Sequence, residues 1–308
     1  MKICVGLGRI DDFEAYARAG ADEVFAGFVP WEWLERFGPS APLNRREVLL
    51  HPAQIGAWDD MAILARLSDR WGVPVAVAMN SACCPPAAYP LIRDMAVRLR
   101  DMGFSRLIVA DVGLLLHLRD VEGLRIHISG EFGEMNPDAL NMAREMGAKR
   151  IIFHRKVTFS EMERAVKAHP DMEWEAFALN ERCHYTGAMC ACLHGDCFLP
   201  LCRAEWTLGG IQDAIPWPSP EPAPETSGDE LGDTGCGLCA LKRLMDCGVT
   251  HLKVVGRGNR PERMERDIRA MRRALHILNT DPAGYPENMK NELFPHGCSG
   301  RCYYPGCR

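Results

Sequence analysis

The sequence has no apolar run that approaches the length of a membrane span, which takes about 18 residues or more. Its first residues, MKICVGLGRIDDFEAY, contain a short apolar run that is interrupted by Arg9 and followed at once by acidic residues. This pattern is unlike a secretory signal peptide. The two absences predict a cytoplasmic protein without a membrane span.

Basic residues are slightly fewer than acidic residues. The chain has 36 Lys and Arg against 41 Asp and Glu, which gives a formal net charge of -5. This balance argues against a protein whose whole surface neutralises phosphates, although it leaves room for a local basic patch. The sequence lacks G-x-S-x-G, H-E-x-x-H and P-loop motifs, so no motif supports a serine hydrolase, a zincin or a nucleoside triphosphatase.

Cysteine, by contrast, is abundant. The chain contains 14 cysteines, and five of them lie between residues 180 and 206. In a cytoplasmic protein most cysteines remain thiols, so a disulfide framework is not expected. Thiols at this density indicate metal binding, redox chemistry or burial.

Most of the chain repeats one pattern, in which a short β-branched run is followed by a turn and an amphipathic helical stretch. Apolar strands that alternate with helices indicate a parallel sheet with both faces covered, and eight repeats predict an α/β fold closed into a (β/α)8 barrel similar to a TIM barrel. A doubly wound open sheet is the alternative, which the count of eight disfavours. The predicted strands are residues 2–6, 22–27, 74–80, 106–111, 124–129, 150–154, 173–179 and 251–257.

Two segments depart from this pattern. Residues 214–235 contain five Pro and five acidic residues, which predict a mobile loop or lid after the seventh strand. The C-terminal tail shows neither a helical nor a strand period. The expected organisation is a barrel domain over residues 1–278, which includes a cysteine-rich segment over residues 183–239, followed by a cysteine-containing tail over residues 279–308.

In such a barrel the functional side chains lie where the strands end, at the carboxyl face. A guanidinium at this face can hold a carboxylate or phosphate with two hydrogen bonds. Arg257 and Arg260 follow the eighth predicted strand, and Arg155 follows the sixth. The candidate catalytic residues are Arg257, Arg155, His154 and Asp111.

The spacing of the central cysteines is unlike that of a zinc finger or ribbon, which pairs thiols two to four positions apart. Six residues separate Cys183 from Cys190, and eleven separate Cys190 from Cys202. Cys236 and Cys239 form a C-x-x-C pair, which suits zinc, a redox dithiol or half of a cluster. Iron–sulfur clusters accept thiolates from distant positions when a scaffold brings them together, as the mouth of a barrel does.

The segment EAFALNERCHYTGAMC resembles the signature of peptidase family U32, in which Glu-x-Phe is followed by a cysteine, a glycine and a second cysteine. Glu175, Phe177, Cys183, Gly187 and Cys190 occupy these positions. PLCRAEW is similar to the family's Cys-Arg-aromatic segment, and LCALKRLMDCGVTHLKVVGR is similar to its Leu-Cys-Ala-Leu helix and the strand that follows. GADEVFAG, RLIVADVGLL and HISGEFGEMNPDAL also resemble family segments, in the same order.

The resemblance implies that Cys183, Cys190, Cys202 and Cys239 ligate a four-iron, four-sulfur cluster. Family members with this cysteine set are associated with oxygen-independent hydroxylation of aromatic rings or RNA bases, with prephenate as the oxygen donor. We therefore expect an anaerobic iron–sulfur hydroxylase whose arginines hold a carboxylate-rich donor. The acceptor is then an aromatic molecule or an RNA base.

Other interpretations stay open at this point. One alternative is a U32-type peptidase, and another is a non-catalytic iron–sulfur subunit that works with a heteromeric partner. A second cluster or a zinc site is a further expectation, with inert thiols as its alternative. The cysteines considered for this second site are Cys192, Cys197, Cys298, Cys302 and Cys307.

Overall fold

The computed structural model describes residues 1–38, 41–46, 53–133, 136–183, 190 and 230–307. Eight parallel strands pair in chain order, and the eighth pairs with the first to close the barrel. The predicted (β/α)8 fold is confirmed. The strands are β1 (Lys2–Leu7), β2 (Glu23–Gly27), β3 (Val75–Met79), β4 (Arg106–Val109), β5 (Arg125–Ile128), β6 (Ala148–Ile152), β7 (Glu173–Leu179) and β8 (His251–Val254).

Helices follow most of the strands and pack outside the barrel. They are α1 (Phe13–Ala19), α2 (Trp31–Phe37), α3 (Trp58–Trp71), α4 (Tyr89–Asp101), α5 (Val112–Leu118), α6 (Pro137–Glu145), α7 (Phe159–Ala168), α8 (Leu241–Asp246), α9 (Pro261–Thr280) and α10 (Glu287–Leu293). Local residues set several of their ends. Thr158 and Glu161 form a reciprocal capping box at the start of α7. Gly20 and Gly72 end α1 and α3 in the left-handed conformation, with φ of 110° and 63°.

The helices α2, α5 and α10 were not predicted. Each is seven residues long, which is too short for a helical period to stand out from its surroundings. The tail, whose sequence shows neither a helical nor a strand period, contains α10. Within the described residues, no helix has both the length and the apolar composition that crossing a bilayer requires.

The predicted proline-rich loop over residues 214–235 lies mostly outside the described residues, which resume at residue 230. The division of the chain at residue 278 stays a prediction. The helix at this boundary, α9, continues to Thr280.

The side chains of the strands separate into two sets, because residues two positions apart on a strand point to the same side. One set faces the helices and joins the main hydrophobic core; Val5, Val24 and Leu252 are examples. The other set points into the barrel and forms a separate small cluster. We call this set the inner apolar cluster, and its members are Phe25, Ala76, Ile108, Ile152, Phe177 and Val255, with Tyr303 from the tail.

Two positions nearer the amino ends of the strands, charged side chains fill the barrel. Arg150 is 1% exposed and pairs with Glu23 at 2.6 Å and with Glu175 at 3.0 Å. Arg150 also pairs with Glu173 at 2.9 Å, and Lys253 pairs with Glu175 at 2.6 Å. A buried charge without a partner is costly in a low-dielectric interior, so these ions depend on one another. We call this set the barrel ion network.

The barrel ion network makes the stability of the protein depend on acid pH. Burial alone would raise the pKa of Glu175, but Lys253 and Arg150 outweigh it and lower this pKa from 4.5 to about 2. A carboxyl with a lowered folded-state pKa stabilises the protein above its unfolded pKa and loses that contribution as the pH falls toward the folded value. From this group we expect a loss of roughly 3 kcal/mol of unfolding free energy between about pH 4.5 and about pH 2.

Urea denaturation at a series of pH values measures this loss. The Glu175→Gln variant should lose less stability than the wild type over the same interval. The exposed substitution Glu122→Gln serves as the control and should leave the pH profile unchanged. Equal slopes for the wild type and Glu175→Gln would show that Glu175 does not contribute as described.

Candidate functional site

Polar and small residues form a further inward layer, at the mouth of the barrel. Two positions beyond the inner apolar cluster, Gly27, His154 and Arg257 lie at the ends of β2, β6 and β8. Asn80 and Ser129 follow β3 and β5, and the Asn80 side-chain amide donates to the Ser129 hydroxyl at 3.1 Å. This is the carboxyl face of the strands, where (β/α)8 barrels place their catalytic residues.

Arg257 is a buried cation of the mouth. Its side chain is 6% exposed, and Nη2 donates to Oδ1 of Asn44 at 3.3 Å. Asn44 is itself held by two amide hydrogen bonds with Gln54, at 3.0 and 3.1 Å. Nη1 of Arg257 is buried and has no hydrogen-bond partner among the described residues. Because buried donors are normally paired, this N–H group is suited to a ligand.

Glycine at position 27 makes room for Arg257. A Cβ atom at Gly27 would lie 2.1 Å from Nη1 of Arg257 and 1.9 Å from Oε1 of Gln54. Both distances are far below van der Waals contact, so any larger residue displaces the guanidinium. Glycine at the end of β2 thus contributes to the site through the close approach that it permits.

The charge of Arg257 is poorly compensated. Burial lowers the pKa of Arg257 and repulsion by Arg46 lowers it further, to about 9, while Glu181 opposes the shift. A desolvated cation in this state gains more from an anionic partner than a solvated arginine does. The surroundings of Arg257 therefore favour binding of a carboxylate or phosphate.

Arg155 is a second guanidinium at the mouth. Its Cζ atom lies 3.8 Å from the centre of the Phe177 ring, a cation–π contact with the inner apolar cluster. Its Nε atom is buried and lacks a hydrogen-bond partner within the described part of the chain. Burial alone would lower the pKa of Arg155, but Tyr303 and Cys183 raise it overall. The side chain therefore stays charged beside the first cysteine of the family signature.

Asp111 has structural partners. Its carboxylate accepts hydrogen bonds from the backbone N–H groups of Leu114 and Cys84, both at 2.7 Å, and from the Tyr89 hydroxyl at 3.1 Å. The bond from Leu114 caps the start of α5. A catalytic role for Asp111 stays a prediction, and these contacts favour a role in holding the loop after β3 to α5.

His154 is buried at the end of β6. Burial lowers its pKa, and its Nδ1 atom accepts a hydrogen bond from the backbone N–H of Lys156 at 3.2 Å. The neutral imidazole therefore shapes the loop that carries Arg155. A catalytic role for His154 stays a prediction.

The loop between α2 and α3 supplies mouth residues that the sequence analysis missed. Arg46 donates to the Glu181 carboxylate and, at 2.8 Å, to the backbone oxygen of Arg257. Arg45 forms an ion pair with Glu131 at 3.1 Å. The sequence of this loop contains an Asn-Arg-Arg run over residues 44–46, which could have indicated polar residues at the mouth. The run was missed because the loop follows α2, a helix that was itself not predicted.

The backbone leaves β7 in a constrained conformation. Asn180 and Glu181 have φ of 67° and 50°, in the left-handed region that residues other than glycine seldom adopt. The Asn180 side-chain amide donates to Asp267 at 2.7 Å, and the Tyr303 hydroxyl donates to the Asn180 backbone oxygen. Such strain persists only where the surroundings hold it, and it is frequent at functional sites. Here it sets the direction in which the chain continues to Cys183.

Two of the predicted cluster ligands belong to the mouth. Cys183 lies close enough to Arg155 to affect its pKa, and the backbone oxygen of Cys190 accepts a hydrogen bond from Arg45 at 2.9 Å. Other predicted ligands lie outside the described residues, namely Cys192, Cys197 and Cys202. The four-thiolate set over Cys183, Cys190, Cys202 and Cys239 therefore stays a prediction.

Cys239 has other neighbours. It lines a cavity together with Cys236, Cys298 and Cys302, two of which come from the tail. Cys307 also lies within electrostatic reach of Cys239. The structure thus brings the C-x-x-C pair and the tail cysteines together, an association that the sequence analysis did not make.

Inside the barrel, the ligand atoms of Cys4, Glu23 and Glu175 lie within 4.8 Å of one another. These carboxylates already pair with Arg150 and Lys253. Burial and the two carboxylates raise the pKa of Cys4 well above its usual value, so the thiol stays protonated. The group is therefore part of the barrel ion network, and its charges are matched without a metal ion.

The family model of peptidase family U32 matches residues 8–301. The chain belongs to peptidase family U32. The resemblance seen in the cysteine-rich segment is thereby confirmed, and it extends over most of the chain.

Among curated relatives, the chain is similar to proteins named tRNA hydroxylation protein P. It is 31% identical over 109 residues to the Escherichia coli K12 protein, a match that covers 35% of this chain and 22% of that protein. Its identity to the Haemophilus influenzae protein is 29% over 100 residues, covering 32% of this chain and 20% of the relative. The matched part amounts to about one fifth of each relative.

Among solved structures, the similar ones share little sequence with this chain. The U32 peptidase Mk0906 is 16% identical with a TM-score of 0.43, over 58% of this chain and 68% of that chain. N-acetylneuraminate lyase from Mycoplasma synoviae is 6% identical with a TM-score of 0.50, over 94% of this chain and 78% of that chain. At such an identity the likeness to the lyase concerns the fold alone.

Proposed function

We propose that this member of the U32 family is a hydroxylase that acts on a base in RNA. The observation that carries the proposal is the pair of mouth guanidiniums, Arg257 and Arg155, each of which has a buried N–H group without a partner among the described residues. They offer an anionic cosubstrate a binding site at the catalytic face of the barrel. The name of the curated relatives, tRNA hydroxylation protein P, supports tRNA as the acceptor.

The proposed cosubstrate is prephenate, or a closely related dicarboxylate that carries a hydroxyl group. In the proposed reaction a C–H bond of the acceptor becomes C–OH, which is a two-electron oxidation. A C–OH bond of the donor becomes C–H, which is a two-electron reduction. Atoms and electrons therefore balance without dioxygen, and the site needs a donor with a transferable oxygen.

The residues of the chain position this donor. Arg257 binds one carboxylate. Its guanidinium donates a hydrogen bond to Asn44 and occupies the space that the absence of a side chain at Gly27 leaves open. Arg155, stacked on Phe177, binds the other. Charge-assisted hydrogen bonds from two separate guanidiniums fix the orientation of a dicarboxylate as well as its position.

The acceptor base has to leave its stack to reach this site, because Arg257 is buried at the mouth of the barrel. The formal net charge of -5 makes a general electrostatic attraction to RNA weak. Recognition of the acceptor is therefore proposed to depend on the base that enters the mouth and on local contacts around it.

We further propose an iron–sulfur cluster at the mouth, with Cys183, Cys190 and Cys202 as three of its ligands. A bound cluster supplies one-electron transfer and can polarise an oxygen atom of the substrate. Cys183 and Cys190 fit this role by position, since both belong to the mouth. The resemblance gives Cys239 as the fourth ligand, whereas Cys239 lies in the cavity shared with the tail cysteines. Iron counts on Cys239→Ser test which assignment holds.

Anaerobic purification followed by an assay with prephenate and unmodified tRNA tests the proposed function. The wild-type chain should form a hydroxylated nucleoside, detected by mass spectrometry, without uptake of label from dioxygen. Cys183→Ser should lose iron and sulfide and reduce product formation by at least about 100-fold. The exposed Cys83→Ser is the matched control and should keep both.

The alternatives give different results in this assay. An iron-free chain that cleaves peptides and forms no hydroxylated nucleoside contradicts the hydroxylase. Product that forms only after a second protein is added supports a heteromeric partner. Full activity of an iron-free chain contradicts the cluster and leaves the hydroxylase in place.

A further inference from the structure

The C-terminal tail returns to the end of the cysteine-rich segment, near Cys236. The backbone N–H of Cys236 donates to the oxygen of Arg301 at 2.9 Å, and the N–H of Tyr303 donates to the oxygen of Cys236 at 2.7 Å. These bonds form a parallel bridge between Cys236 and Cys302. Two cysteines that are far apart in the chain are thus held side by side by the backbone.

Two more cysteines face the same junction. Cys239 lies in a short 3₁₀ turn, Leu238–Ala240, three residues after Cys236. Cys298 lies four residues before Cys302. All four side chains line one cavity of about 20 Å³, which has room for a single ion or water molecule.

The four cysteines come from two segments that are far apart in the chain, and they meet at one cavity. Packing alone does not require this arrangement, because a cysteine in a core acts as a small hydrophobe that any aliphatic side chain of similar size can replace. Four such residues converging on one small cavity indicate a thiophilic ligand.

We propose that Cys236, Cys239, Cys298 and Cys302 bind a metal ion, with zinc as the favoured ion. The two pairs have C-x2-C and C-x3-C spacing, which is within the range of structural zinc sites. Four cysteine thiolates around zinc form a closed structural site, and this spacing favours zinc. The inference goes beyond the proposed hydroxylation and assigns Cys239 to a centre apart from the mouth.

Zinc binding draws these sulfur atoms together. Tetrahedral coordination with Zn–S bonds of about 2.3 Å places the sulfurs about 3.8 Å apart. In the described part of the chain, the cysteines of this cavity do not form a group within 4.8 Å of one another. A change of one χ1 rotamer moves a thiol sulfur by about 3 Å, and the proposal requires side-chain rotation of this kind.

The metal site holds the tail against the mouth of the barrel. Tyr303, next to Cys302, packs in the inner apolar cluster and donates its hydroxyl hydrogen to the Asn180 backbone oxygen. Tyr303 also lies beside Arg155, one of the two arginines that are proposed to bind the oxygen donor. Loss of the metal ion therefore releases a residue that lines the substrate site, although no ligand of this ion touches the substrate.

Metal analysis of the full-length chain, purified without chelator, tests the inference. About one zinc ion per chain is expected, and Cys298→Ser and Cys302→Ser should each lose most of it. Cys307→Ser is the matched control, since Cys307 lies close to the cavity but outside the proposed set, and it should keep its zinc. Unchanged metal content in Cys298→Ser and Cys302→Ser, or no metal in the wild type, would overturn the proposal.

Cobalt substitution of the wild-type chain gives a second measurement that does not depend on the folding of the variants. A four-thiolate site should show intense thiolate-to-cobalt absorption, and its absence contradicts the site. If Cys298→Ser loses iron and the wild type holds no zinc, the choice of zinc is overturned. The four cysteines then still form a thiolate metal centre.

These outcomes are separate from those of the mouth cluster. Cys298→Ser is expected to lose zinc and keep iron, whereas Cys183→Ser is expected to lose iron and keep zinc. Cys239→Ser decides the assignment of the shared residue, since the tail site predicts loss of zinc alone. Loss of iron alone from Cys239→Ser would return this cysteine to the mouth cluster and contradict the tail site.

Discussion

Replacement of Arg150 by methionine is expected to lower the free energy of unfolding by about 3 to 5 kcal/mol. Arg150 is 1% exposed and pairs with the carboxylates of Glu23, Glu175 and Glu173. Burial alone would lower the pKa of Arg150, but Glu175 and Glu23 reverse the effect and raise it strongly, so the guanidinium is charged. Methionine fills most of the volume and leaves buried carboxylates with too few partners.

Urea denaturation of the variant measures this effect. The urea concentration at the midpoint of unfolding is expected to fall while the dependence of the unfolding free energy on urea concentration stays constant. The exposed ion pair of Arg93 and Asp120 on the surface supplies the matched control, and Arg93→Met should have little effect. Adding Glu23→Gln to Arg150→Met should recover part of the lost stability, because it removes one of the unpaired charges. A loss no larger than that of Arg93→Met would show that the barrel ion network does not stabilise the fold.

Replacement of Arg257 by glutamine is expected to weaken the binding of prephenate by about 10- to 100-fold, the value of one hydrogen bond to a charged group. Arg257 is buried, and its Nη1 atom has no partner among the described residues. With a pKa of about 9, the unliganded side chain loses its proton well below the usual range of arginine. Since an anion binds the protonated form, affinity should fall as the pH rises through about 9. This decrease should be absent from Arg257→Gln.

Isothermal titration calorimetry with prephenate, at pH values on both sides of 9, measures both effects. Gly27→Ala should reproduce the loss of affinity, because a Cβ atom at this position occupies the space of the guanidinium. Arg269→Gln is the control, since Arg269 is exposed on α9 and pairs with Glu265 at 2.7 Å. Wild-type affinity in Arg257→Gln would place the carboxylate site elsewhere.

The barrel itself was predictable because its signals are local. Alternation of strand and helix repeats along the chain, and the period of two within a strand decides which side chains point inward. Arg257 and Arg155 could be selected for this reason, since both follow predicted strands at the face where function is expected. The family signature added the cysteines around Cys183 without any knowledge of the fold.

The remaining parts of the site depend on contacts between distant segments. Arg46 contacts Arg257 from the loop between α2 and α3, which does not directly follow a strand. Tyr303 contacts the inner apolar cluster from the tail. The periodicity of the sequence does not predict such contacts, because they form only when the barrel closes. The charged residues inside the strands are a similar case, since their partners lie on other strands.

The sequence by itself determined the (β/α)8 fold, the family and the face of the barrel on which the arginines lie, because periodicity and motif spacing act over short stretches of chain. Only the tertiary structure decided that Arg257 is buried without a full set of partners and that Cys239 lies beside Cys298 and Cys302. Both depend on which distant residues meet after folding, and long-range packing sets that choice.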